Sequence, residues 1–169
     1  MGYYSGKLIE TINFMHAENK KIKQDMYKAF LQVQKMEVPY SVKNKMLGAI
    51  FGMMPNPWRV VGITEKAIKR FEDYNFKYKA GMGINRSHIF PRHKRNRFLL
   101  ENKNWTIDKW WNYFYSRDKC ILATSTENMN KAPVISKFKV PRGMFQSSGF
   151  SFRVKDKESL FLKESYKKL

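Results

Sequence analysis

One histidine, one asparagine and a run of cations in this chain have types and spacing suited to cutting a phosphodiester. His88 lies in Asn85-Arg86-Ser87-His88-Ile89-Phe90-Pro91-Arg92, which reads as a short apolar strand stopped by a proline. A second apolar run, Lys119 to Thr124, leads directly into Ser125-Thr126-Glu127-Asn128. Thr124 and Glu127 have the spacing of a capping box, which starts a helix there and puts Asn128 in its first turn. A neutral imidazole can take a proton from an attacking water, since its ordinary pKa of about 6.5 leaves it mostly uncharged at pH 7. An Asn carbonyl can hold a hard divalent cation and leave the remaining coordination positions to water and phosphate oxygens. Taken singly, each residue also has a plainer role. A histidine on an apolar strand serves as a satisfied structural residue, and an asparagine early in a helix serves as a polar cap.

As an ordered set, the stretch resembles the HNH or His-Me finger nuclease superfamily. Arg86-Ser87-His88-Ile89-Phe90-Pro91 is similar to the Arg-Gly-His-x-x-Pro signature of the non-specific nucleases in that group. His88-Ile89-Phe90-Pro91, then Ile121-Leu122, then Asn128-x-x-Lys131 resembles the HNH domains of CRISPR effectors and of modification-dependent restriction enzymes. The resemblance covers about a quarter of the chain. It implies a ββα-metal finger in which His88 is the general base, Arg86 or Lys131 approaches the phosphate, and Asn128 holds one Mg²⁺ or Mn²⁺. Ser87 stands where many of these domains carry an aspartate as second metal ligand, so Asn128 would hold a heavily hydrated ion with Ser87 beside it. Lys119 stands where the second strand often begins with an asparagine, so the sequence leaves open what orients the imidazole, a backbone carbonyl being one candidate. Between His88 and Asn128 sits an insertion, Asn102 to Ser116, holding three of the four tryptophans.

Composition sets the partners. The 169 residues carry 33 Lys and Arg against 14 Asp and Glu, a formal charge of +19 that makes sense beside a polyanion. DNA is the expected partner, double-stranded in preference, with RNA as the alternative. No apolar run reaches the roughly 18–20 residues needed to span a bilayer, so no membrane is expected. The single cysteine, Cys120, excludes both a disulfide framework and a cysteine-based zinc site within one chain. Without an evident leader at Met1-Gly2-Tyr3-Tyr4, a cytoplasmic setting in a bacterial or phage-infected cell is expected. The scarcity of acids argues against nucleases that rely on clustered acidic metal ligands.

The remaining elements must position these groups. Apolar residues from Leu8 to Met36 recur every three or four positions and predict a long helix from Lys7, with Lys20, Lys21, Lys23 and Lys28 on its other face. Pro39 breaks it, and a second helix is expected from Tyr40-Ser41 to Met53 or Met54. Two prolines stiffen Met54-Pro55-Asn56-Pro57-Trp58, and Arg59-Val60-Val61 is extended. Thr64 starts a third helix, Glu65 to Tyr74, whose outward Lys69 and Arg70 suit either a DNA-reading turn and helix or a helix packed on the core. Phe76 to Lys79 alternates like a strand. The cation run Arg92-His93-Lys94-Arg95-Asn96-Arg97 reads as a basic loop beside His88, either solvated or in contact with a phosphate backbone. His93 is the second candidate for the base. Trp105, Trp110, Trp111, Tyr113, Phe114 and Tyr115 fall on a helix, Ile107 to Tyr115, capped by Thr106. They either pack the insertion onto the core or stack on splayed bases. Val134 to Val140 and Phe150 to Val154 read as extended, and Lys157 to Tyr166 as the last helix.

The expected architecture is α+β. A helical, basic DNA-binding region (1–80) packs on a ββα-metal nuclease core (81–140) with its aromatic insertion (102–116), and a C-terminal strand and basic helix (141–169) follow. The expected function is metal-dependent DNA endonuclease. A non-catalytic DNA-binding or architectural protein and a ribonuclease of the same chemistry are the alternatives. Because one finger cuts one strand, double-strand cleavage would call for a homodimer.

Overall fold

A computed structural model describes residues 4–52, 58–130, 132–146 and 152–169, with side chains from Lys20 onward. Among the described residues the chain is α+β, with seven helices around a four-stranded mixed sheet. Helix α1 (Tyr4–Lys35) is followed, after the break at Pro39, by α2 (Tyr40–Gly52). Strand β1 (Arg59–Ile63) runs into α3 (Glu65–Glu72), whose start is fixed by Thr64 Oγ1 accepting from the Ala67 amide at 3.1 Å. Then come β2 (Ile84–His88), α4 (Arg92–Glu101) and α5 (Ile107–Arg117). Strand β3 (Lys119–Thr124) and α6 (Ser125–Met129) follow, and the chain closes with β4 (Phe138–Lys139) and α7 (Asp156–Tyr166).

The strands lie in the order β2-β3-β1-β4. β1 runs parallel to β3, while β2 is antiparallel to β3 and β4 antiparallel to β1. The β2–β3 register pairs His88 with Cys120, Arg86 with Leu122 and Ile84 with Thr124. β1 slips by one residue at Val60–Gly62, where Ser136 Oγ presses so close that a Cβ on Gly62 would sit 2.3 Å from it. Only glycine fits there.

Burial divides into two clusters. One face of the sheet, α3 and α7 enclose Val60, Ile63, Ile68, Phe71, Leu122 and Leu162, joined by Phe145 and Phe152 from the C-terminal loops. The second cluster is helical: Phe30, Val33, Leu47, Phe51, Leu99, Trp110 and Phe114, from α1, α2, α4 and α5. The aromatic insertion is thus core rather than a base-stacking surface for Trp110 and Phe114, which are 0 % exposed. The clusters also cut across the sequence divisions, because β1 and α3 from the first region belong to the sheet core.

Three local expectations change. Phe76 to Lys79 forms no strand. Asn75 and Phe76 have φ of 52° and 56°, and the Phe76 amide donates back to the Phe71 carbonyl at 2.8 Å, wrapping the end of α3. Phe152 to Val154 pairs with no strand, and Phe152 packs instead between Phe71, Phe145 and Tyr78. The run from Val134 shortens to the two residues of β4. Met53, Met54 and the double-proline loop lie outside the described residues.

Candidate functional site

A cavity of about 960 Å³ runs along β2, the sheet edge, and collects the expected catalytic and metal-holding residues with one of the expected DNA contacts, Arg92. His88, Arg86, Ser87 and Asn85 come to its wall from β2, Arg92 from the start of α4, and Asn128 and Asn130 from α6 and the turn after it. Trp58, Tyr78 and Phe152 also line it.

Local rules explain why these residues meet. Strand alternation puts Ile84, Arg86 and His88 on one face of β2 and Asn85 and Ser87 on the other. Because β2 is the edge strand, both sets reach the same cavity. At the end of β3, Thr124 accepts from the Glu127 amide while Glu127 Oε2 accepts from the Thr124 amide at 2.9 Å, completing a capping box. The same Oε2 accepts from Thr64 Oγ1 at 2.9 Å, tying the start of α6 to the start of α3. Asn85 Nδ2 donates to Ser125 Oγ at 3.1 Å, tying β2 to α6 as well.

The imidazole of His88 is held from two sides. Cys120 Sγ lies 3.4 Å from Nδ1, and the ring meets Trp58 edge-on, with centroids 5.9 Å apart at 84°. Cys120 is wholly buried, and burial pushes its thiol up to about 12, so the sulfur is neutral. A thiol at Nδ1, rather than a backbone carbonyl, is therefore the hydrogen-bonding neighbour of the ring. Burial, followed by the charges of Arg92, Arg95 and Arg86, brings the His88 pKa down to about 3. Over the window from about 6.5 to 3 the unfolded chain binds a proton that folded His88 refuses. Stability therefore falls as pH drops through that window and is unaffected by this group above it. By pH 4 the loss attributable to His88 is on the order of 3 kcal/mol. Urea denaturation at pH 7 and pH 4 of wild type and His88→Gln measures it. Equal acid losses in the two proteins would show His88 titrating as a solvated group.

Arg86 and Arg92 flank Trp58, with guanidinium carbons 4.8 and 5.5 Å from its ring centroid. Arg95, expected at a phosphate, is instead 1 % exposed and donates to Asp118 Oδ1 at 3.0 Å. The reason is that the cation run is helical, not a loop. Pro91 opens α4 at its N-terminus, where its missing N–H costs nothing, and the helix turns Arg95, Asn96 and Leu99 to one buried face. Arg92, His93, Lys94 and Arg97 stay exposed. His93 lines a separate depression with Asn44, Lys45 and Asn96, so the second candidate base is not in the His88 cavity. Arg97 stacks over Tyr40, its guanidinium 5.0 Å from the ring centroid. Lys69 and Arg70 are also outside the cavity, on the exposed face of α3, facing Glu65 at 2.6 Å and Asp73 at 3.3 Å. Lys131 lies outside the described residues.

Sequence reading missed three contributors: Trp58, Cys120 and Asp118. Asp118 Oδ2 accepts from the Trp58 amide at 2.7 Å, so one carboxylate fixes both Trp58 and Arg95 behind His88. A lone acid between Arg117 and Lys119, directly before an apolar strand, was the available signal. No protein-family model, curated protein or solved structure matches the chain.

Proposed function

We propose that the chain hydrolyses phosphodiester bonds of DNA with one divalent cation, through an HNH-like ββα-metal core formed by β2, β3 and α6. One observation carries this reading: an antiparallel strand pair followed at once by a short helix brings His88, Arg86 and Asn128 to the wall of one cavity. The charge of +19 supports a polyanionic substrate.

In this reading Arg86 and Arg92 bind the phosphate, and His88 takes a proton from water. To serve as the base at Nε2, His88 must hold the tautomer in which Nδ1–H donates to Cys120 Sγ, 3.4 Å away, which leaves the Nε2 lone pair as the ring acceptor. The cavity's neutral oxygen donors, the amides of Asn85, Asn128 and Asn130 and the Ser87 hydroxyl, fit a hydrated Mg²⁺ or Mn²⁺ shared with a phosphate. Asn128 is the residue that would hold it, and Ser87 the neighbour that could order its water. Bound there, the cation would offset charge on the phosphate and the leaving oxygen.

Supercoiled plasmid incubated with Mg²⁺, Mn²⁺ or EDTA tests the reading, with a structured RNA in parallel. Metal-dependent nicking that is lost in both His88→Ala and Asn128→Ala is expected. Faster cutting of RNA would move the substrate class. No cutting in any metal, with salt-sensitive binding kept in all three proteins, would leave a DNA-binding protein. Cys120→Ala should lower kcat by up to about 10²-fold through a misplaced imidazole, with DNA affinity unchanged. Cys120→Ser should restore it, and the ¹⁵N shifts of His88 report the tautomer. An unaltered tautomer in Cys120→Ala would remove the positioning role.

A further inference from the structure

We infer that the cavity takes the phosphodiester first, and that the divalent cation is recruited by the bound phosphate rather than held by the free protein. This rests on the nuclease reading above and adds the order in which its two ligands arrive.

The fixed charges on the cavity wall are positive among the described residues. Arg86 and Arg92 line the cavity, and Arg95 lies buried behind it. Their combined field also contributes to keeping the His88 imidazole neutral. Against them stands no carboxylate on the cavity wall among the described residues. Two acids lie close in sequence to the site residues, and both are committed elsewhere. Asp118 is 2 % exposed, and its two oxygens accept from Arg95 and from the Trp58 amide. Glu127 immediately precedes Asn128, yet its Oε2 accepts from Thr64 and Thr124, and its side chain lines a groove with Lys66 and Lys69.

A dication entering the free cavity would meet two guanidinium groups and only neutral amide, hydroxyl and imidazole donors. Hydrated Mg²⁺ gives up water reluctantly, and neutral oxygens without a carboxylate are a weak inducement. A bound phosphodiester changes the balance, because it offsets the arginine charge and offers an anionic oxygen to the ion. Affinity for the cation must then rise when DNA is bound, and by linkage affinity for DNA must rise with the cation.

The test is Mn²⁺ electron paramagnetic resonance on the full chain carrying His88→Ala, so that a short duplex stays intact. Protein alone should leave the free Mn²⁺ signal nearly unchanged. Protein with duplex should take up Mn²⁺ beyond what the duplex binds alone, at least about tenfold more tightly than the protein does. Adding Asn128→Ala, an exposed substitution, should abolish that extra uptake while the duplex stays bound. Arg92→Gln should weaken duplex binding in EDTA and lower its salt slope by about 0.9. Mn²⁺ bound to the free protein within threefold of its affinity in the complex would overturn the order and leave the nuclease reading standing. A duplex that binds without any extra Mn²⁺ would overturn the metal-dependent nuclease reading and this inference together.

Discussion

His88→Ala is expected to lower the cleavage rate by about 10²–10⁴-fold, the usual contribution of a positioned general base. Duplex affinity should change less than about twofold, because an uncharged imidazole neutralises no phosphate. The pH profile carries a second signature. With the His88 pKa near 3 in the free protein, kcat/KM should show no acid limb around 6.5 and should stay level from pH 8 to 5. A bound phosphate offsets the field of Arg86 and Arg92 and so raises the imidazole pKa in the complex. Any acid limb should therefore appear in kcat before it appears in kcat/KM. Steady-state cleavage of a fluorescent duplex across that range gives both quantities. A rate within threefold of wild type in His88→Ala would remove His88 from the chemistry.

Asp118→Ala is expected to cost about 3–5 kcal/mol of stability, the price of leaving a buried charge without its partner. Burial acts on both members of the pair, raising the Asp118 pKa and lowering that of Arg95, and their mutual attraction opposes it. Remove the carboxylate and Arg95 remains at 1 % exposure, between the rings of Phe51 and Phe114 at 5.1 and 4.7 Å, with no anion beside it. The Trp58 amide loses its acceptor at the same time. For a chain of this size the midpoint of thermal unfolding should fall by roughly 6–20 °C. Asp118→Asn keeps an acceptor for the amide and should cost less. Arg95→Met combined with Asp118→Leu should recover much of the loss, since no charge is then buried. Urea denaturation of the four proteins measures the series, and a cost below 1 kcal/mol for Asp118→Ala would mean that water reaches Arg95. Because this pair fixes Trp58 against His88, the destabilised variant should also lose activity beyond its unfolded fraction.

The sequence by itself determined what depends on neighbours three or four residues away. Thr64, Thr106 and Thr124 each start the helix expected of them, because in a cap the side-chain oxygen accepts from an amide only three positions on. The strand at His88, the strand at Cys120 and the helix at Asn128 were legible for the same local reason, and so was their order along the chain. Tertiary structure decided everything that needs contact across long separations. His88 meets Cys120 across 32 residues and Trp58 meets Asp118 across 60, through strand register and the return of β1 beside β3. Arg95 looked like its cationic neighbours in the sequence. It was chosen for burial only because helix α4 turns that position toward Asp118 and the aromatic core, where a guanidinium can be stacked and paired rather than solvated.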